Sequence, residues 1–179
     1  MRITEFNVQN ALQVDLLKKG HQLICPNYTP VNWYECDLFS VTKSGYFVEH
    51  EIKLSVPDFK KDAYKISCKR NSFSYTKGSM TKHERLAAGD ELGPRTFYFV
   101  VPESIADKIE VPEWAGLKVF RLRSWKGQAR MRIVRTDKPS VLHKVKISDH
   151  IKEHVESVFY WRLWSSRGKV CKLNTKLGL

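Results

Sequence analysis

Three residues in the first third of the chain carry side chains suited to hydrolytic chemistry. Asp37 lies in one apolar run, and Glu51 and Lys53 flank Ile52 in a second run fourteen residues later. If the two runs are neighbouring strands, both carboxylates and the amine meet at one point, because residues two apart on a strand share a face. Carboxylates bind Mg²⁺ or Mn²⁺, and an amine can orient water or stabilise developing charge. The pattern therefore predicts metal-dependent cleavage of a phosphodiester bond.

The elements around these residues predict a mixed α/β fold. Residues 4–19 carry an apolar stripe at helical spacing with Thr4 as N-cap, and Ser55 can cap a helix that begins near Pro57. We expect one domain over residues 1–179, in which residues 165–179 form a loosely ordered basic tail. The predicted strands cover residues 21–25, 33–41, 46–54, 96–101, 117–122 and 130–135, and further helices cover residues 81–88 and 148–164.

Asp37 followed by Glu51-Ile52-Lys53, within this order of elements, resembles the PD-(D/E)XK nuclease superfamily. The resemblance implies a restriction-endonuclease-like mixed sheet with a helix-strand-strand-strand-helix-strand core, plus an added strand and C-terminal helix. It implies that Asp37, Glu51 and the backbone carbonyl of Ile52 bind Mg²⁺ or Mn²⁺. It also implies that Lys53 is the catalytic lysine and that Glu5, on the first helix, assists the metal. Two departures are Cys36, at the variable name-giving proline position, and Glu49, which shares a face with Glu51 and either competes for the metal or points to solvent.

Further landmarks are similar to a narrower group, the MmcB-type DNA-repair and phage Holliday-junction-resolvase-like branch. This similarity implies an endonuclease that acts in repair, recombination or phage DNA processing, with branched DNA, single strands, duplex and RNA left open as substrates. A resolvase cuts two strands symmetrically, so a homodimer also stays open. The matching strings are Glu51 to Ser55, Pro57 to Phe59 with Asp62, Phe97 to Pro102, Ala115 to Leu117, Val141 to Lys144 and Tyr160 to Trp164.

The distribution of charge points to a polyanionic partner, for which DNA is the expectation. The formal net charge is +12, and residues 118–179 hold 16 basic and 4 acidic side chains, so this segment carries all of the excess. A cation-lined cleft would hold phosphates without reading bases. The candidate contacts are Lys60, Lys61, Lys69, Arg70, Lys77, Lys82, Arg121, Arg123, Arg130 and Arg132.

Several other function classes are disfavoured by the sequence. The four cysteines lack zinc-knuckle spacing, no apolar run reaches membrane-spanning length, and the start has no signal-peptide core, so we expect a cytoplasmic protein. His150, Glu153 and His154 match an inverted zinc-peptidase pattern, but no acidic ligand follows Glu156. Two alternatives to the nuclease stay open: a non-catalytic DNA-binding module that keeps the fold, and a regulatory protein whose basic face meets an acidic partner.

Overall fold

The chain forms two compact units, Met1–Lys146 and Ile147–Leu179, and the single domain over residues 1–179 stays a prediction. The computed structural model describes residues 3–63, 80–125 and 128–177, without the side chains of residues 124, 125, 128–130 and 168–177. The second unit contains helix α5, Asp149–Leu177. This helix continues well past the predicted end at residue 164, so the segment from Ser165 to Leu177 is helical rather than a loose tail.

Within the described ranges, the first unit is built on a six-stranded mixed sheet in the order β1-β2-β3-β4-β5-β6. β3, β4 and β5 are parallel, and the other neighbouring pairs are antiparallel. The predicted mixed α/β class is therefore confirmed. The strands are β1 Gln22–Tyr28, β2 Cys36–Val41, β3 Phe47–Ile52, β4 Thr96–Pro102, β5 Gly116–Trp125 and β6 Gln128–Asp137. The helices of this unit are α1 Glu5–Lys18, α2 Val56–Asp62, α3 Lys82–Ala87 and the short α4 Glu103–Ala106, which the sequence does not predict.

Helix α1 covers one face of the sheet. Its first turn is fixed as predicted, because the Thr4 hydroxyl accepts a hydrogen bond from the Asn7 backbone N–H. Its apolar stripe is fully buried against side chains from the sheet, and burying each leucine stabilises the fold by about 1.5–3 kcal/mol. This core contains Val8, Leu12, Leu16, Ile24, Leu38, Ile52, Val100 and Phe120.

The opposite face of the sheet carries the acidic side chains of β3. Successive strand residues point to opposite faces, so Ile52 packs beneath α1 while Glu49 and Glu51 point the other way. Aromatic rings from α2 and β4 contact each other on this second face, as in the Phe59–Phe99 pair at 4.7 Å between centroids. The carboxylates of β3 are thus enclosed between the sheet and the helices that follow it. In the described part of the chain, no helix has the length and apolarity needed to cross a membrane.

Candidate active site

The structure brings Asp37, Glu51 and Lys53 together at the ends of β2 and β3. Leu38 pairs with His50 in the antiparallel register, which places Asp37 opposite Glu51. Asp37 Oδ2 accepts a hydrogen bond from the Ile52 backbone N–H at 2.7 Å, and Lys53 Nζ lies 2.9 Å from Glu51 Oε1. The juxtaposition that the sequence predicts is therefore present, while the catalytic roles of these residues stay predictions.

These residues belong to a continuous series of buried ion pairs, which we call the charge chain. Lys82 Nζ contacts Glu49 Oε1 at 2.6 Å and Glu51 Oε2 at 2.7 Å. Lys53 Nζ contacts Glu51 Oε1 and also Asp62 Oδ1, the latter at 2.8 Å. Asp62 Oδ2 in turn lies 2.8 Å from His83 Nε2. In spatial order, the charge chain is Glu49, Lys82, Glu51, Lys53, Asp62 and His83.

The acidic groups here outnumber the lysines. Asp37 together with the charge chain supplies four carboxyl groups against two ammonium groups, a formal excess of two negative charges if every carboxyl group is ionised and His83 is not counted. Burial, followed by the charge of Glu51, raises the pKa of Asp37 to about 7, although the hydrogen bond from Ile52 opposes this. Asp37 therefore takes up a proton near neutral pH unless another cation balances the site.

The two lysines stay charged despite their burial. Burial alone would lower the pKa of Lys53, but Glu51 and Asp62 outweigh it and raise that pKa. The pKa of Lys82 is likewise raised, because Glu49 and Glu51 outweigh the loss of solvent. Burial opposes ionisation of Asp62 too, but its contacts with His83 and Lys53, together with the charge of Lys82, hold its pKa well below the ordinary value. Lys53, Lys82 and Asp62 are therefore charged near neutral pH.

The residues present fit a divalent cation. In the described ranges, no three or more histidine, cysteine, aspartate or glutamate side chains cluster so as to hold a metal by themselves. Mg²⁺, however, needs only one or two carboxylates in addition to water and substrate phosphate. Asp37 and Glu51 meet this requirement, and an excess of two negative charges is what one divalent cation would neutralise.

Glu5 lies at the edge of the site, at the start of α1. Its carboxylate is exposed, yet partial burial and then the charge of Glu51 raise its pKa. The sequence did not identify Gln9, whose buried Nε2 donates to Glu5 Oε1 at 2.9 Å, Asn27 Oδ1 at 2.8 Å and the Asp37 carbonyl oxygen at 2.9 Å. Gln9 therefore ties α1 to the start of β2, and the metal-assisting role of Glu5 stays a prediction.

Lys82 requires a correction. The sequence predicts that it contacts nucleic acid, but its side chain is fully buried between two glutamates and cannot reach a phosphate. Glu49 does not point to solvent either, because it is fully buried and accepts a hydrogen bond from Trp33 Nε1 at 2.8 Å. Two buried glutamates on one face of a strand need positively charged partners. The sequence alone does not identify Lys82 as that partner.

Arginines lie on the same sheet face as Glu51, further along β5 and β6. Arg121 pairs with Arg132 in the antiparallel register, and Arg123 pairs with Arg130. Like charges directly opposite each other destabilise a sheet, so this arrangement favours an anionic ligand. Arg121 is partly neutralised by a two-point ion pair with Glu103. Arg123 and Arg132 are exposed, and the side chain of Arg130 is outside the described residues.

The remaining predicted contacts divide into two groups. Lys60 and Lys61 are exposed on α2. Lys61 also lines an open cavity of about 230 Å³ together with Lys53, Asp58 and Asp62. The ammonium group of Lys61 therefore lies on the cavity that contains Lys53. Predicted contacts that lie outside the described residues are Lys69, Arg70 and Lys77.

Comparisons with known proteins inform the fold only. No protein-family model and no curated protein matches the chain. A solved structure, the SPO1766 protein of unknown function from Silicibacter pomeroyi, is similar with a TM-score of 0.53 and 15% sequence identity. The match covers 90% of this chain and 86% of that chain. At this identity the likeness shows a shared fold and carries no statement about activity.

Proposed function

We propose that this protein is a divalent-metal-dependent DNA endonuclease with a restriction-endonuclease-like fold. The observation that supports the proposal is that Asp37, Glu51 and Lys53 lie close together in a buried site with more carboxyl than ammonium groups. A protein that only bound DNA would have no need of buried carboxylates that repel phosphate. Activity in repair, recombination or phage DNA processing, and a preference for branched or single-stranded DNA, are part of the proposal.

The side chains have separate tasks in this mechanism. Asp37, Glu51 and the Ile52 carbonyl would hold Mg²⁺ or Mn²⁺, which acidifies water and neutralises phosphate charge when bound. Lys53 carries three N–H donors; it donates one hydrogen bond to Glu51 Oε1 and also forms an ion pair with Asp62. A further donor can stabilise charge that develops on the phosphate, since Lys53 lines the cavity beside α2. Glu51 and Asp62 thus orient the ammonium group that acts on the substrate.

The basic residues would position the DNA backbone. Glu51 is in register with Phe99 on β4, and Phe99 is in register with Leu117 on β5. Arg121 lies on β5 four residues beyond Leu117, and so two strands away from Glu51. Strand spacing and rise put the Arg121 backbone on the order of 15 Å from that of Glu51, a distance that a bound DNA backbone spans. Lys61 at the cavity and the arginines of β5 and β6 could therefore contact phosphates of the same bound DNA. Contacts of this kind bind phosphates without sequence preference.

The test is to incubate labelled branched, single-stranded and duplex DNA with the protein, in Mg²⁺ or in EDTA. Lys53→Ala should abolish cleavage while largely sparing DNA binding, because the phosphate contacts lie elsewhere. Lys108→Ala, which removes an exposed lysine after α4, serves as the matched control and should cut normally. Wild-type cleavage that persists in EDTA would contradict a metal-dependent mechanism.

A second candidate is a DNA-binding module that keeps the fold without catalysis. Its supporting observation is that each oxygen of Glu51 already contacts a lysine, as in a purely structural ion-pair network. This candidate predicts salt-dependent DNA binding that is indifferent to Mg²⁺, with no cleavage of any substrate in the panel. The same incubation therefore separates the two functions.

A further inference from the structure

Lys82 is a buried cation in the site to which the mechanism above gives no task. It begins α3, whose start is fixed by reciprocal hydrogen bonds between Thr81 and Glu84. Its ammonium group lies between Glu49 and Glu51 and within 5.2 Å of the centroid of the Phe97 ring. Burying a lysine this completely is costly, so its two short contacts must offset a large desolvation cost.

We propose that Lys82 is a positioning residue that holds the Glu51 carboxylate in its metal-binding orientation, with Glu49 as its counter-charge. The inference rests on the proposed function. Lys82 contacts Oε2 of Glu51 while Lys53 contacts Oε1, so the two ammonium groups fix the carboxylate plane from both sides. Second-shell contacts of this kind typically change metal affinity or activity by about 10- to 100-fold.

Glu49 serves Lys82 rather than the metal. One of its oxygens contacts Lys82 and the other accepts a hydrogen bond from Trp33, so neither points toward solvent. The Trp33 ring packs closely against Gly93, where an added Cβ would lie 2.5 Å from the ring. The resulting order of contacts runs from Trp33 through Glu49 and Lys82 to Glu51, the carboxylate that would bind the metal.

A charge-balanced double variant separates positioning from simple neutralisation. Lys82→Met leaves Glu49 buried without its cation, so this variant should lose both stability and cleavage. Adding Glu49→Gln removes the orphaned charge and should restore most of the melting temperature. If Lys82 positions Glu51, the double variant still cleaves about 10- to 100-fold more slowly and needs more Mg²⁺ for half-maximal rate. The single variant Glu49→Gln leaves Lys82 beside Glu51 and should therefore cleave faster than the double variant. Lys108→Ala, which removes an exposed lysine after α4, is the control that should cleave at the wild-type rate.

The opposite result is equally clear. A double variant that regains both melting temperature and wild-type cleavage, with an unchanged Mg²⁺ requirement, would reduce Lys82 to the neutraliser of Glu49 and overturn the inference. If the wild type itself fails to cleave, the proposed function fails and the inference, which rests on it, falls with it. The two failures are therefore distinguishable.

A measurement on the wild-type protein covers the case in which the variants do not fold. The ¹⁵N signals of buried lysine ammonium groups can be followed by NMR while Mg²⁺ is added. The signals of Lys53 and Lys82 should both shift, since both contact Glu51. Lys118 is a matched internal control, because it is buried on the other sheet face, 2.9 Å from His50 Nε2. A shift at Lys53 without one at Lys82 would overturn the inference.

Discussion

Replacing Asp37 with asparagine should stabilise the metal-free protein at alkaline pH. The pKa of this carboxyl is about 7 in the folded protein and 3.8 ordinarily, a difference that corresponds to about 4 kcal/mol. Because the pKa of Asp37 is higher in the folded protein than in the unfolded chain, the protonated carboxyl contributes this free energy of stabilisation in full at low pH. It is lost as pH rises from about 4 through about 7. Asparagine keeps the acceptor for the Ile52 N–H without the charge, so it escapes this loss.

The magnitude can be measured by unfolding the wild type and Asp37→Asn in EDTA at several pH values. Between about pH 4.5 and about pH 8, the stability difference should grow by about 3 kcal/mol in favour of the variant. For a chain of this size that is roughly 6–12 °C in melting temperature. Comparing the two proteins at each pH cancels the titration of the carboxylates that do not interact with Asp37.

Asp107→Asn is the matched control, since the Asp107 side chain is 93% exposed. Its effect should stay within about 0.5 kcal/mol at every pH. An Asp37→Asn variant no more stable than the wild type at about pH 8 would show that ionised Asp37 does not destabilise the folded protein. A gain of the same size at acidic pH would also contradict the prediction, because the Asp37 carboxyl would then not be the titrating group.

Further predictions concern the metal, the arginines and the core. Mg²⁺ at about 100 times its dissociation constant should stabilise the wild type by about 2.7 kcal/mol and stabilise Asp37→Asn much less. Mn²⁺ affinity should rise with pH up to about 7, because the Asp37 carboxyl must lose its proton to bind, and a pH-independent affinity would count against it. Arg123→Ala should reduce the slope of log DNA affinity against log salt by about 0.9, whereas Arg135→Ala, whose side chain pairs with Asp137, should change it less. Leu12→Ala should cost about 2–5 kcal/mol in chemical denaturation, because the buried side chain leaves a cavity beneath α1.

The local elements were largely predictable because their signals are local. Thr4 and Ser55 cap helices as predicted, and the alternation around Glu51 identifies a strand with one acidic face. The same alternation brings Asp37 to Glu51, since an antiparallel hairpin fixes which residues face each other. The proximity of Asp37 to Glu51 could therefore be predicted from the hairpin alone, a segment of about fifteen residues.

The partners of these carboxylates were not predictable, because they come from distant parts of the chain. Lys82 is 31 residues from Glu51, and its sequence context is that of an exposed helix start. Asp62 likewise reads as a surface acid of a short helix, yet it is buried between Lys53 and His83. Only tertiary packing decides which side of such a helix is covered, so propensity and charge patterns cannot identify these contacts.

The pairing of arginines between β5 and β6 could not be predicted either, because it depends on the strand register. The sequence predicts strands at residues 117–122 and 130–135 but not the irregularity between Val119 and Phe120. That irregularity sets which residues of β6 face β5, and it brings Arg132 opposite Arg121. A slip of β6 by one residue would move Arg130 and Arg132 to the α1 face of the sheet, away from Glu51.

Mn²⁺ binding followed by electron paramagnetic resonance tests the central claim most directly, because the signal of free Mn²⁺ falls as the ion binds. We expect the wild type to take up one ion per chain near neutral pH. Asp37→Asn and Glu51→Gln should each weaken that binding at least about tenfold, since each removes a carboxylate from the site. A wild-type protein that takes up no Mn²⁺, or variants that bind it equally well, would contradict the proposal that these carboxylates form a metal site.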